Sequence, residues 1–163
     1  MPDFVVTPSM FEQNIDELSP SVFSFNNEFI RKSKFLNLSS LLNFSPGIFL
    51  VQNGGPGTVT SLFSRGTESD HTAVFLNGRR LPTGSSGQYD LGQLSLANID
   101  SVEMIRGDFS SLHGDGAIGG VVNIRSNSSL IGKYNFYNFE IGENNLYKKE
   151  FSYGTVNSNY NLS

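Results

Sequence analysis

Gly114-Asp115-Gly116-Ala117-Ile118-Gly119 reads G-x-G-x-x-G, a spacing that lets backbone close around a pyrophosphate. That chemistry needs a strand before the glycines and a helix after them, so that the helix N-terminus meets the phosphates. The residues that follow are Gly120-Val121-Val122-Asn123-Ile124, a β-type run, which predicts a strand and removes the support for a nucleotide site. Two Arg-Gly pairs, Arg65-Gly66 and Arg106-Gly107, each follow a β-prone segment. A planar guanidinium at such a position suits a carboxylate on a facing surface, and the plainer alternative is two surface arginines at strand ends. His71 and His113 are the only imidazoles and cysteine is absent, so neither a metal site nor thiol chemistry is expected. There is no G-x-S-x-G elbow and no assignable Ser/His/Asp set, so no catalytic residue is assigned and an enzyme is not expected.

The elements that would position these residues are short. Residues 21–25 (Ser-Val-Phe-Ser-Phe) look like a strand, and Asn26 or Asn27 can cap a helix over residues 28–32. Leu36, Leu38, Leu41 and Leu42 recur at helical spacing until Pro46-Gly47 stops the pattern. Residues 48–52 are β-prone, residues 53–57 form a glycine-rich loop, and residues 58–64 alternate as a strand does. Residues 71–76 predict a strand, Asn77-Gly78 a tight hairpin turn, and residues 79–81 the start of the return strand. A polar loop over 82–89, one helical turn over 94–98 and strands over 101–105 and 121–125 complete the series. Residues 3–20 are expected to be a mobile, extended arm broken by Pro8 and Pro20.

After Ser126-Asn127-Ser128-Ser129 the pattern changes to aromatic-rich runs over 134–141 and 146–153, separated by Gly142-Glu143-Asn144-Asn145. In the second run Tyr147, Phe151 and Tyr153 share one face with Lys149 as the exception, while Lys148, Glu150 and Ser152 share the other. Tyr160 and Leu162 continue the alternation. A membrane barrel strand needs this pattern, apolar toward lipid and polar toward the lumen; a half-buried soluble hairpin has the same periodicity.

Composition narrows the field. Of the 163 residues only 16% are charged, and glycine (17) is abundant, as in a protein of short strands joined by tight turns. The net charge of −4 and the single basic run Arg31-Lys32-Ser33-Lys34 give no nucleic-acid footprint. No apolar run is long enough for a transmembrane helix, and the N-terminus carries no signal-peptide pattern.

The order of the blocks identifies a family. Pro46-Gly47-Ile48 and the glycine-rich loop are followed by Phe63-Ser64-Arg65-Gly66-Thr67 and then by Val74-Phe75-Leu76-Asn77-Gly78-Arg79-Arg80-Leu81. Next come Ile99-Asp100-Ser101-Val102-Glu103-Met104-Ile105-Arg106-Gly107 and the stretch from Ser110 through Ile124. Over roughly residues 3–126 this resembles the plug of TonB-dependent outer-membrane receptors, the cobalamin receptors most of all. Two positions depart from the family: Asp108 stands where proline is usual after Arg-Gly, and His113 stands where tyrosine is usual.

The resemblance implies an α+β fold, a small mixed β-sheet plug with short helices and long loops. It would be followed by the first two or three antiparallel strands of a truncated transmembrane β-barrel. The domain limits implied are an arm at 1–8, a plug at 9–128 and barrel strands at 129–163. Asp3, Phe4, Val5, Val6 and Thr7 resemble the TonB box, an extended segment suited to strand addition with TonB. Two apical loops, 53–61 and 82–89, would face the substrate, a cobalamin or a siderophore-type metal chelate. The contacts would come from Asn53, Gly54, Gly55, Thr58, Ser61, Thr83, Ser85, Ser86, Gln88 and Tyr89. Arg65 and Arg106 would meet barrel glutamates. The implied partners are TonB, the rest of the barrel, the ligand and the outer membrane, with no cofactor and no nucleic acid. The competing expectation is a plug-like binding module that works without a barrel.

Overall fold

The structure is a computed structural model. It describes residues 4–5, 13–14, 22–33, 35, 37–54, 58–64, 66–84, 87–89, 91–114, 116–126, 132–142 and 146–156.

Two asparagines start the helices. Asn26 accepts a hydrogen bond from the Phe29 amide (2.9 Å) and opens α1 (Asn27–Lys32); Asn37 accepts from the Ser40 amide (2.9 Å) and opens α2 (Leu38–Asn43). Each satisfies an amide that a helix start would otherwise leave bare, worth about 1 kcal/mol. The leucine spacing then does its work: Leu38, Leu41 and Leu42 are all fully buried. The turn through Pro46 and Gly47 (φ 74°) ends the segment, as expected.

The two-residue strands β1 (Phe4–Val5) and β2 (Gln13–Asn14) pair antiparallel. The rest of the arm expected over 3–20 lies outside the described residues. The principal sheet is built from β3 (Val22–Phe25), β6 (Thr72–Leu76), β7 (Arg79–Arg80), β8 (Ile99–Arg106) and β9 (Gly120–Ser126) in the order β3-β8-β9-β6-β7. A separate hairpin pairs β4 (Ile48–Gln52) with β5 (Thr60–Ser64). The sheet is mixed: β9 runs antiparallel to β8 and parallel to β6. The Asn77-Gly78 turn forms with φ of 51° and 78°, the doubly positive geometry that tight hairpins demand. Its return strand β7 covers only Arg79 and Arg80, although the Leu81 amide still donates to the Val74 carbonyl (2.8 Å).

One face of the sheet packs under α2. Val74, Val102, Met104, Val122 and Ile124 from the strands meet Leu38, Leu41, Leu42 and Leu62. The opposite face carries a smaller cluster of Ala73, Ala117 and Val121, flanked by Phe75 and Phe109. A four-residue helix, α3 (Ser110–His113), crosses the glycine-dense segment.

Beyond the principal sheet, β10 (Gly132–Gly142) and β11 (Leu146–Val156) form an antiparallel hairpin in unbroken register from Gly132↔Val156 to Gly142↔Leu146. Tyr137, Phe139, Ile141, Tyr147, Phe151 and Tyr153 lie on one face and are all exposed. Lys149 shares that face, opposite Phe139.

Candidate functional site

The loops that flank β4–β5 and follow β7 converge. The Asn53 amide donates to the Val59 carbonyl (3.2 Å) and closes the first loop; the Gly84 amide donates to the Gln88 carbonyl (2.9 Å) and closes the second. The Thr60 amide joins them by donating to the Tyr89 carbonyl (3.1 Å). Thr60 was not singled out by sequence, because a bridge between residues so far apart leaves no local pattern.

Of the expected contact residues, Asn53, Gly54 and Thr83 are exposed, and Thr58 and Gln88 half-buried. Gly55, Ser85 and Ser86 lie outside the described residues. Two of the expected contact positions are buried. Tyr89 is 1% exposed, packs in the main core and donates its hydroxyl to the Thr72 carbonyl (2.9 Å). Ser61 is 5% exposed, because β5 is covered on both faces. Both are buried in this structure. The polar run around Tyr89 hid its burial, since an aromatic with one satisfied hydroxyl packs in a core as readily as it lines a site.

The Arg106 guanidinium is turned inward. Nη1 donates to the Pro46 carbonyl (2.9 Å), and the group lies 5.0 Å from the centre of the Phe23 ring. The positive φ of Gly47 brings the 46–47 turn close enough that a Cβ there would strike Arg106. Arg106→Ala is expected to lower stability by about 1–2 kcal/mol, from one carbonyl bond and one cation–π contact. The urea midpoints of the two proteins measure it; equal midpoints would show that the contacts contribute nothing. Arg65 lies outside the described residues.

The glycine-dense segment is a structural seam. The Gly119 amide donates to the His71 carbonyl (2.7 Å), and the Gly119 carbonyl accepts from the Ser64 hydroxyl (2.8 Å) and the Gly107 amide (3.3 Å). β9 follows at once as extended backbone, so the helix that a pyrophosphate site needs is replaced by a strand. Asp108 and His113 also find places in this segment. Asp108 accepts from the Ser110 amide (3.0 Å) and hydroxyl (2.6 Å), bonds that hold its carboxyl below the usual value of 3.8. His113 sets its ring 5.5 Å from the Phe75 ring.

At the N-terminus, only Phe4 and Val5 of the five TonB-box-like residues are described. They pair with Asn14 and Gln13. Asp3, Val6 and Thr7 lie outside the described residues.

Comparison with known proteins agrees with this geometry. The profile of the TonB-dependent receptor plug domain matches residues 14–121. The vitamin B12 transporter BtuB of Vibrio cholerae serotype O1 is 38% identical over 120 residues, which are 74% of this chain and 20% of the relative. The chain therefore spans about a fifth of the length of the curated relatives it matches. Among solved structures, the ferripyoverdine receptor of the Pseudomonas aeruginosa outer membrane superposes with a TM-score of 0.75 at 18% identity, covering 92% of this chain and 20% of that one. The ferric yersiniabactin uptake receptor FyuA of Yersinia pestis gives 0.67 at 16% identity, covering 85% and 22%. At these identities the structures speak for the fold alone.

Proposed function

Since the chain belongs to the TonB-dependent receptor plug domain family, we propose that it gates an outer-membrane transporter for energy-coupled uptake of a cobalamin or a ferric chelate. The observation that carries this is the 38% identity to a vitamin B12 transporter across the plug. In this scheme the ligand settles on the loops around Asn53, Thr58, Thr83 and Gln88, with Gly54, Gly55, Ser85 and Ser86 completing them. The joint from Thr60 to Tyr89 supports a single binding surface, because movement of one loop is passed to the other. The role is transport and not catalysis.

Coupling would run through residues 3–7, which add as a strand to TonB in the periplasm. The pairing of Phe4 and Val5 with Asn14 and Gln13 supports an extended conformation at those two residues, and among the described residues their other edge pairs with no strand. Arg65 and Arg106 would face carboxylates on the barrel wall, Arg106 exchanging its Pro46 and Phe23 contacts to do so. The hairpin β10–β11 would begin that barrel, with the face of Tyr137, Phe139 and Phe151 toward lipid.

Titration of the chain with the TonB C-terminal domain, before and after deletion of residues 1–8, tests the scheme. The deletion is expected to weaken binding by at least about tenfold with the plug's circular dichroism unchanged. Equal affinity for both chains overturns the coupling assignment.

A further inference from the structure

Two asparagines in the chain are followed by glycine, at Asn53-Gly54 and Asn77-Gly78. In such a pair the glycine amide nitrogen can attack the side-chain carbonyl carbon of the asparagine before it, because glycine has no Cβ to bar the approach. We infer that Asn53 is a spontaneous deamidation site of the folded protein, and that Ser126 withholds the same reaction from Asn77.

The step needs no reactant beyond water. The glycine nitrogen bonds to Cγ, the Cγ–Nδ2 bond breaks, and the leaving nitrogen departs as ammonia with the proton that the glycine amide gives up. Water then adds to one carbonyl or the other of the five-membered imide. The ring opens to aspartate, or to isoaspartate with its backbone one carbon longer. Either product carries a negative charge where a neutral amide stood.

Attack requires the side chain to swing onto the peptide that follows it, so a side chain held elsewhere reacts slowly. Asn77 is held through both atoms of its amide. Nδ2 donates to the Ser126 hydroxyl (2.8 Å), and Oδ1 accepts from the Ser126 amide (2.8 Å). The backbone is fixed too: the Asn77 amide donates to the Ile124 carbonyl (2.8 Å), and the turn holds φ of 51° and 78°. Ser126 is itself buried at the end of β9, so the hold gives way only when that strand end leaves β6.

Asn53 lacks this restraint. Its backbone amide closes the loop on the Val59 carbonyl (3.2 Å), but its side chain makes no hydrogen bond to a described residue. Gly54 and Gly55 bring no side chain to crowd the imide. Exposure does not separate the two sites, since Asn53 and Asn77 are both exposed. The difference is the grip of Ser126. Modification at Asn53 would place a carboxylate in the 53–59 loop, whatever that loop binds.

The test incubates the 163-residue chain in heavy-oxygen water at mildly alkaline pH, folded in detergent and, in parallel, unfolded in urea. Peptide mass spectrometry follows the change from amide to acid at each site, and isoaspartyl methyltransferase labels the isoaspartate. In urea the two sites are expected to convert at similar rates. In the folded chain Asn53 is expected to stay close to its urea rate. Asn77 is expected to fall about thirtyfold below its own, the fold-change for two hydrogen bonds that must break first. Ser126→Ala removes one of the two and is expected to speed folded Asn77 about fivefold, with Asn53 unchanged. Asn53→Gln, whose longer side chain closes its ring far more slowly, is expected to erase the signal from that peptide. Asn77 converting as fast folded as unfolded overturns the protection. So does an unchanged Asn77 rate in folded Ser126→Ala. Asn53 slowed as far as Asn77 overturns the site. Circular dichroism checks the folded samples, and where Ser126→Ala loses the parent's spectrum, the parent's folded-to-urea ratio at Asn77 decides.

Discussion

Gly120→Val is expected to lower the stability of the plug by about 4 kcal/mol, enough to unfold a domain of ordinary stability. Gly120 opens β9, opposite Arg106 on β8, with φ of +150°, a conformation that a β-branched residue rarely adopts. A Cβ there would collide with the Ile105 carbonyl, and that atom belongs to the strand beside it. Relief would mean moving β8 away from β9, which opens the centre of the sheet where Val102, Met104, Val122 and Ile124 pack. Nothing flexible is available to give way. Gly119→Ala is a useful companion, because its hardest contact is the Thr67 hydroxyl, which can rotate at the loss of its bond to the Ser64 carbonyl, while the His71 carbonyl lies less close than the Ile105 carbonyl does to Gly120. It should therefore cost less. Thermal melts of the two variants decide the matter, and a Gly120→Val protein melting with the parent would mean that β8 and β9 are not joined as described.

Tyr89→Ala is the second large effect, expected at about 3–5 kcal/mol for the loss of a buried aromatic. Tyr89→Phe keeps the ring and loses only the bond to the Thr72 carbonyl, for about 1 kcal/mol. The contrast separates packing from hydrogen bonding, and a ligand-contact role for the residue would instead leave stability nearly untouched in both variants. The phenol adds a pH signature. Burial raises its pKa above the ordinary 10.0, with the Val74 backbone and Arg80 opposing. The unfolded chain therefore releases this proton first as pH rises. The contribution is intact below pH 10 and is lost as pH climbs through the folded value. Urea midpoints taken through that alkaline range should fall more steeply for the parent than for Tyr89→Phe.

Local signals in the sequence carried much of the architecture. Leu38, Leu41 and Leu42 marked α2 because three- and four-residue spacings put them on one face. Asn77-Gly78 marked its turn because both positions need positive φ. Alternation marked β10 and β11 because every second side chain shares a face. What stayed hidden was non-local. Nothing near Thr72 or Gly120 announces that β6 and β9 lie side by side and parallel. The inward turn of Arg106 depends on Pro46, sixty positions away in the chain. The helix α3 has four residues, too few for any periodicity to appear. In the candidate site, Asn53 and Thr83 were named only through the family resemblance, and both are exposed. The burial of Ser61 and Tyr89 was not legible, since it comes from elements packed on them from elsewhere.

The place of β9 in the sheet sets a timetable. As the chain emerges from its N-terminal end, β6 and β8 arrive first, yet each must wait for the strand that separates them. Until residue 126 is out, the pairs that hold Ala73 to Val121 and Met104 to Val122 have no second member. The emerging polypeptide thus has no complete principal sheet to fold into, although the β3–β8, β4–β5 and β6–β7 pairs need no part of β9. β9 is the strand whose arrival completes the sheet.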